Sequence, residues 1–128
     1  VKKKASLPAL RKKAWASFSK YIRYGEDYGI VRCVTCGVAG TPQEMHAGHF
    51  IHCSKQSALS YDERNVHIQC RQCNYYGMQG LAAIKYTLFM QQTYGPGIVD
   101  ELMAMKHSKE YLKRADLEEI IERYKPWS

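Results

Sequence analysis

No apolar run in the 128 residues approaches the roughly 20 that a membrane helix needs, so a helical membrane span is excluded. The start, Val1-Lys2-Lys3-Lys4, lacks the apolar core of a secretion signal. There is no internal repeat and no low-complexity tract, which removes solenoids and extended linkers from consideration. Acidic side chains are scarce: 12 Asp and Glu stand against 19 Lys and Arg. The resulting charge of +7 favours a polyanionic partner, DNA or RNA first, over simple solubility. Cysteine is present but in the wrong number and spacing for a disulfide framework, since the five thiols divide into two Cys-x-x-Cys pairs and the odd Cys53. That usage fits a reducing cytoplasm, with Cys53 a free thiol. The length fits one domain over residues 1–128, with a core modest enough for a metal staple to matter.

What is there begins with a basic amphipathic helix over residues 7–25. Ser6 can cap it, Pro8 suits its first turn, and Leu10, Ala14, Phe18, Tyr21 and Ile22 recur at helical spacing until Gly25. Its other face carries Arg11, Lys12, Lys13, Lys20 and Arg23, either a stripe for a phosphate backbone or a solvated face. A core over residues 30–92 follows. Residues 30–34 and 44–51 are expected to pair as a hairpin around the first cysteine knuckle, residues 52–64 to form a long surface loop, and residues 66–69 a short strand. A helix with an irregular beginning is expected from Asn74, with Leu81, Ile84, Leu88 and Phe89 inside. After the break at Gly95-Pro96-Gly97, residues 97–125 hold two short helices, the last with Leu117, Ile120 and Ile121 inside.

Cys33, Cys36, Cys70 and Cys73 have the two-residue gaps that let thiolate pairs close on one ion, expected to be structural Zn²⁺. Unmetallated turns and an iron site are the competing readings. Four thiolates fill a tetrahedral shell, so chemistry has to come from elsewhere, and the histidines His46, His49, His52 and His67 lie between the pairs. Phosphodiester hydrolysis at neutral pH needs a base for water and a cation for the charge that develops on phosphate. His49 suits the base, and Asn74, next to the second knuckle, suits a Mg²⁺ ligand. His67 reads either as a phosphate or water contact or as a structural hydrogen bond. Tyr75 and Tyr76 could stack on splayed bases, but aromatics beside a knuckle are more often core.

His49, Asn65 and Asn74, with Cys70-Arg71-Gln72-Cys73-Asn74, resemble the HNH (ββα-metal) nucleases. More specifically, His46-Ala47-Gly48-His49-Phe50 and Asp62-Glu63-Arg64-Asn65-Val66-His67 resemble the phage recombination nucleases of the NinG (Rap) family, over residues 7 to 125. The Cys70-x-x-Cys73-Asn74 junction is also similar to that of zinc-stapled phage endonuclease VII. The resemblance implies an α+β fold, a zinc-stapled ββα-metal core flanked by an N-terminal helix and C-terminal helices. It implies His49 as general base, Asn65 holding the loop that orients it, and Asn74 on a catalytic Mg²⁺ or Mn²⁺. It further implies branched DNA as substrate, Holliday junctions and D-loops among it, with Lys55, Arg64 and Arg71 as further DNA contacts. Recombination proteins as partners and the cytoplasm of a phage-infected or lysogenic bacterium follow in the same way, while a homodimer would suit paired incision of a junction with near two-fold symmetry. A zinc-stapled DNA-binding module without turnover is the alternative.

Two departures stand out. Many HNH nucleases carry an acidic residue or His just before the catalytic His, where this chain has Gly48. His46 can replace it as second metal ligand only if a bulge or turn at Gly48 brings His46 and His49 to one face. The resemblance also implies a cysteine-containing N-terminal segment, which a trimmed or shorter form would lack.

Overall fold

The computed structural model describes residues 4–24, 29–108 and 110–128. Gly25, the expected helix end, and most of the opening Lys run lie outside the described residues. Helix α1, Leu7–Tyr24, starts where expected: the Ser6 hydroxyl accepts the Ala9 N–H at 3.2 Å and the Ser6 carbonyl the Leu10 N–H at 2.9 Å. Leu10, Ala14, Ser17 and Phe18 form its buried face.

The strands are short and pair differently from expectation. β1 (Val31–Arg32) pairs with β2 (Ala39–Gly40), while β3 (His46–His49) pairs with β4 (Val66–Gln69), both antiparallel. Residues 44–51 therefore do not close the hairpin of the first knuckle. The cause lies in the knuckle: Gly37, at φ 80°, turns the chain so tightly that the Cys33 N–H reaches the Val38 carbonyl at 3.0 Å. The strand at 46–49 is left to the segment that carries the second knuckle. A hydrogen bond of 2.9 Å from the Val34 N–H to the Ile68 carbonyl then joins the two units.

Ala47 and Val66 face α1 and α4 (Arg114–Arg123) in one core with Phe18, Leu117, Ile120 and Tyr124. Ile51, Leu59, Tyr86, Met90, Ile98 and Leu102 form a second core between the 52–64 loop, α2 (Leu81–Tyr94) and α3 (Ile98–His107). The loop is more than surface: Ala58–Tyr61 makes a 3₁₀ turn with Leu59 and Ser60 buried. Ile98, Leu102, Leu117 and Ile120 are consumed by these cores, so these four positions of the last two helices are not open to a second copy.

Helix α2 corrects the expected inner face. Ala82, Tyr86 and Met90 are buried, whereas Leu81, Ile84 and Leu88 are more than half exposed. A helix apolar all round gives hydrophobicity little to choose between its faces. The polar anchor decides it: the Tyr86 hydroxyl donates to the Gly48 carbonyl at 2.8 Å.

The β3–β4 ladder runs one to one, His46 opposite Gln69 and Gly48 opposite His67, with no bulge. The departure at Gly48 has a steric reason, because a Cβ there would overlap the fully buried Gln69 amide. Gly48→Ala is expected to cost about 1–3 kcal/mol by overpacking, measured as a lower urea midpoint at unchanged slope; an unchanged midpoint would show that Gln69 yields freely.

Candidate metal centre and basic cleft

The four knuckle sulfurs lie within 4.8 Å of one another, and Cys36 Sγ and Cys70 Sγ are 3.8 Å apart. Tetrahedral zinc with bonds of about 2.3 Å places its sulfurs about 3.8 Å apart, so the donor set and its spacing fit zinc. Burial pushes the Cys33 thiol up, but hydrogen bonds from the Thr35 hydroxyl and backbone amides outweigh it and bring the group down to about 6. Burial and the neighbouring sulfurs push Cys73 up to about 12. Four thiols this close cannot all ionise unaided, and a divalent cation bound among them would supply the compensating charge. Cys53 lies apart, against Ser54, Ser57 and Lys106.

Asn74 follows Cys73 on a single wide turn, Cys73–Gly77, with i→i+5 character; its N–H donates to the Cys70 carbonyl at 3.0 Å. Its side-chain Nδ2 lies 3.1 Å from His46 Nδ1. These two residues share a cleft of about 320 Å³ with Trp15, Ser19, Arg23 and Tyr75. Burial, Arg71 and Arg23, in that order, lower the His46 pKa below 6.5.

His49 lies in a neighbouring cleft of about 630 Å³ with Arg11, Lys12, Lys55, Ser60 and Tyr61. Its ring stacks on Trp15, centroids 5.2 Å apart and planes 15° from parallel. His49 Nε2 is 3.1 Å from the Ser60 carbonyl. A carbonyl only accepts, so in the neutral ring Nε2 carries the proton and Nδ1 keeps its lone pair. Burial lowers the His49 pKa, the Ser60 bond opposes it, and His52 adds a smaller lowering.

Asn65 is fully buried. Its Oδ1 accepts the Ile51 N–H at 2.9 Å, and its Nδ2 donates to the Ile51 and Leu59 carbonyls at 3.1 and 3.3 Å. It thereby ties the residues after His49 to the turn whose Ser60 carbonyl holds the His49 ring.

His67 is placed elsewhere. Strand alternation puts it on the face of Gly48, opposite that of His49. Because the Tyr86 hydroxyl donates to Gly48, its oxygen accepts from His67 Nδ1 at 3.1 Å, and the Tyr94 hydroxyl then donates to Nε2 at 2.8 Å. Both ring nitrogens are engaged, and burial lowers the pKa to about 4. The structure favours the structural hydrogen bond over the phosphate contact. The folded value lies below the unfolded 6.5, so this group contributes stability above pH 6.5 that is lost as pH falls toward 4. An NMR titration of the His67 ring is expected to show a midpoint near 4; a midpoint near 6.5 would mean that the ring is not buried as described.

The expected DNA contacts divide. Pro8, Arg11, Lys12, Trp15, Ser19 and Arg23 form one face of α1 along both clefts. Lys20 lies over the Tyr24 ring at 5.7 Å, and Lys13 is exposed without lining either cleft. Arg64 is claimed by carboxylates, Asp62 at 2.9 Å and Glu101 at 2.6 Å, which removes it as a free phosphate contact. Arg71 stays exposed, 5.9 Å from the Tyr75 ring centroid. Tyr75 and Tyr76 are 63% and 75% exposed, so the core reading of this pair is overturned. Sequence reasoning missed Trp15 and the Ser60 carbonyl; the three- and four-residue spacing from Pro8 to Arg23 was the signal for the former.

Fold and site define a mixed α+β protein with a four-cysteine cluster able to hold zinc and two clefts that share Trp15, one with His46 and Asn74 and a basic one with His49. The chain belongs to the family described as Bacteriophage Lambda NinG protein, which matches residues 1–127. Among curated proteins it is similar to Protein ninG of Salmonella phage P22, of Escherichia phage 933W and of Enterobacteria phage VT2-Sa, each 33% identical over 70 residues. Those residues are 55% of this chain and 33% of each relative, so the match spans about a third of the relatives' length. No solved structure matches the chain. No helix among the described residues is long and apolar enough to cross a membrane.

Proposed function

We propose that this chain is a metal-dependent DNA endonuclease of the HNH class, acting on branched recombination intermediates. The observation that carries the reading is His49: a half-buried imidazole with Nε2–H committed to Ser60 and Nδ1 without a partner among the described residues, in a cleft with Arg11, Lys12 and Lys55. Nδ1 takes a proton from water, the water oxygen bonds to phosphorus, and the P–O3′ bond breaks. The leaving oxygen then takes a proton from solvent. The three cations hold phosphates on the His49 side and Arg23 on the His46 side. Asn74 Oδ1 fits as a protein donor to one Mg²⁺ or Mn²⁺, which when bound with the DNA phosphate would stabilise charge on the leaving oxygen. With no bulge at Gly48, His46 lies on the strand face opposite His49 and its Nδ1 accepts from Asn74 Nδ2, so the condition for His46 as second ligand is not met. Asn65 acts through the loop that it pins, and the zinc cluster fixes the Asn74 turn. A two-fold pair of copies would suit paired incision of a near-symmetric junction.

One observation favours a DNA-binding module without turnover: neither cleft is lined by a carboxylate, and Mg²⁺ sites in proteins ordinarily include one or two. Incision of a labelled four-way junction by the zinc-loaded chain, with Mg²⁺, Mn²⁺ or EDTA, separates the readings. Metal-dependent cutting supports the nuclease. Binding without cutting in either metal would leave the module.

A further inference from the structure

The pair Tyr75–Tyr76 is anomalous for its surroundings. It follows Asn74 directly, on the wide turn that the second knuckle fixes at its start, yet both rings lie in solvent. Exposed aromatic area is unfavourable in water unless something covers it. Tyr75 is nonetheless held in position. The edge contact with the His46 ring has centroids 5.1 Å apart, the Arg71 guanidinium lies 5.9 Å from the Tyr75 centroid, and Tyr76 follows at 6.2 Å. Tyr75 also forms a wall of the cleft of His46 and Asn74, so the aromatic surface is continuous with the proposed site of chemistry.

The charges around it say what kind of ligand covers it. Arg71 stands beside the Tyr75 ring, Arg23 lines the same cleft, and that cleft is free of lining carboxylates, which suits a polyanion rather than an apolar peptide. An aromatic surface flanked by guanidinium groups matches a nucleic acid whose base faces are open, because every base offers a π-face while its phosphates take the cations. In an intact duplex those faces are stacked on one another. They open where a strand is single or where helices meet.

We propose that Tyr75 and Tyr76 are a stacking platform for an unstacked nucleobase face, and that this platform gives the chain its preference for branched over linear DNA. The inference rests on the nuclease reading and deepens it by naming the feature of the substrate that is recognised. Phosphate contacts along α1 are blind to structure, whereas a platform beside Asn74 delivers the strand next to an open base to the cleft.

The test is fluorescence anisotropy with zinc-loaded protein and four labelled DNAs: a linear duplex, the same duplex with a single-strand flap, a four-way junction, and a free single strand. Wild type is compared with Tyr75→Leu/Tyr76→Leu, which removes the rings, and with Tyr75→Phe/Tyr76→Phe, which keeps them. The ratio of junction and flap affinity to duplex affinity is expected to fall about tenfold in the Leu pair and to hold in the Phe pair. The single strand distinguishes a free strand from a branch point as the source of the base, and its affinity is expected to depend on the rings in the same sense. An unchanged ratio in a Leu pair that retains zinc and native circular dichroism would overturn the platform. Duplex binding and metal-dependent incision by wild type would then still stand for the nuclease. A wild type that binds none of the four DNAs overturns both.

Discussion

His49→Ala in the zinc-loaded protein is expected to lower metal-dependent incision of a junction by about 10²–10⁴-fold, the usual worth of a positioned base. The zinc content should be unchanged, because His49 does not touch the cysteine cluster and lies in a cleft none of whose walls is a knuckle residue. The pH profile provides the sharper readout. A base acts only when neutral, and burial holds His49 below 6.5, so the wild-type rate should rise with pH on a limb lying below 6.5 and then flatten. The variant should lose that limb. Ala leaves a space against Trp15 of imidazole shape, and added imidazole should restore part of the rate. A variant that cuts at wild-type rate would remove His49 from the reaction and move attention to His46.

Losing the knuckle ion should have the largest effect on the fold. Structural zinc contributes about 10 kcal/mol or more in small domains, comparable with the whole stability of a domain of this size. Cys70→Ser, or chelation of the wild type, is therefore expected to release zinc and unfold the segment from β1 through the Asn74 turn. The Val34–Ile68 bond joins the strand units that carry the two knuckles, so it is expected to open with them. Dye-detected zinc release together with amide exchange at Ile68 and Val34 would follow both events. Retained protection after complete zinc loss would show that packing of Cys33, Cys73 and Ala82 suffices without the ion.

What could be read from the residues follows a physical division. The knuckles were legible because metal ligation demands a fixed short spacing, and α1 and β4 because their burial patterns are local. Asn65 was legible only by resemblance, since nothing in its neighbours announces that its amide will span from Ile51 to Leu59. Strand pairing was lost at Gly37, where a single positive φ closes the first hairpin after two residues. The rotation of α2 was lost because its sequence is apolar on most sides and one hydroxyl, that of Tyr86, selects the inner face. The same hydroxyl took His67 out of the candidate site, a long-range partnership that neither spacing nor periodicity encodes. Tyr75 and Tyr76 ran against composition because the turn that carries them is set by Cys70 and Cys73 rather than by burial.

The stacking of Trp15 on His49 gives the protein a built-in optical probe. An excited indole passes an electron readily to a cationic imidazolium and poorly to a neutral imidazole, so Trp15 should dim when the ring it covers gains a proton. Trp127, packed instead against Tyr21, has no histidine ring partner among the described residues and supplies a constant background. Emission followed against acidity would thus titrate one chosen histidine among five without label or substrate, and DNA entering the cleft would announce itself by shifting that curve.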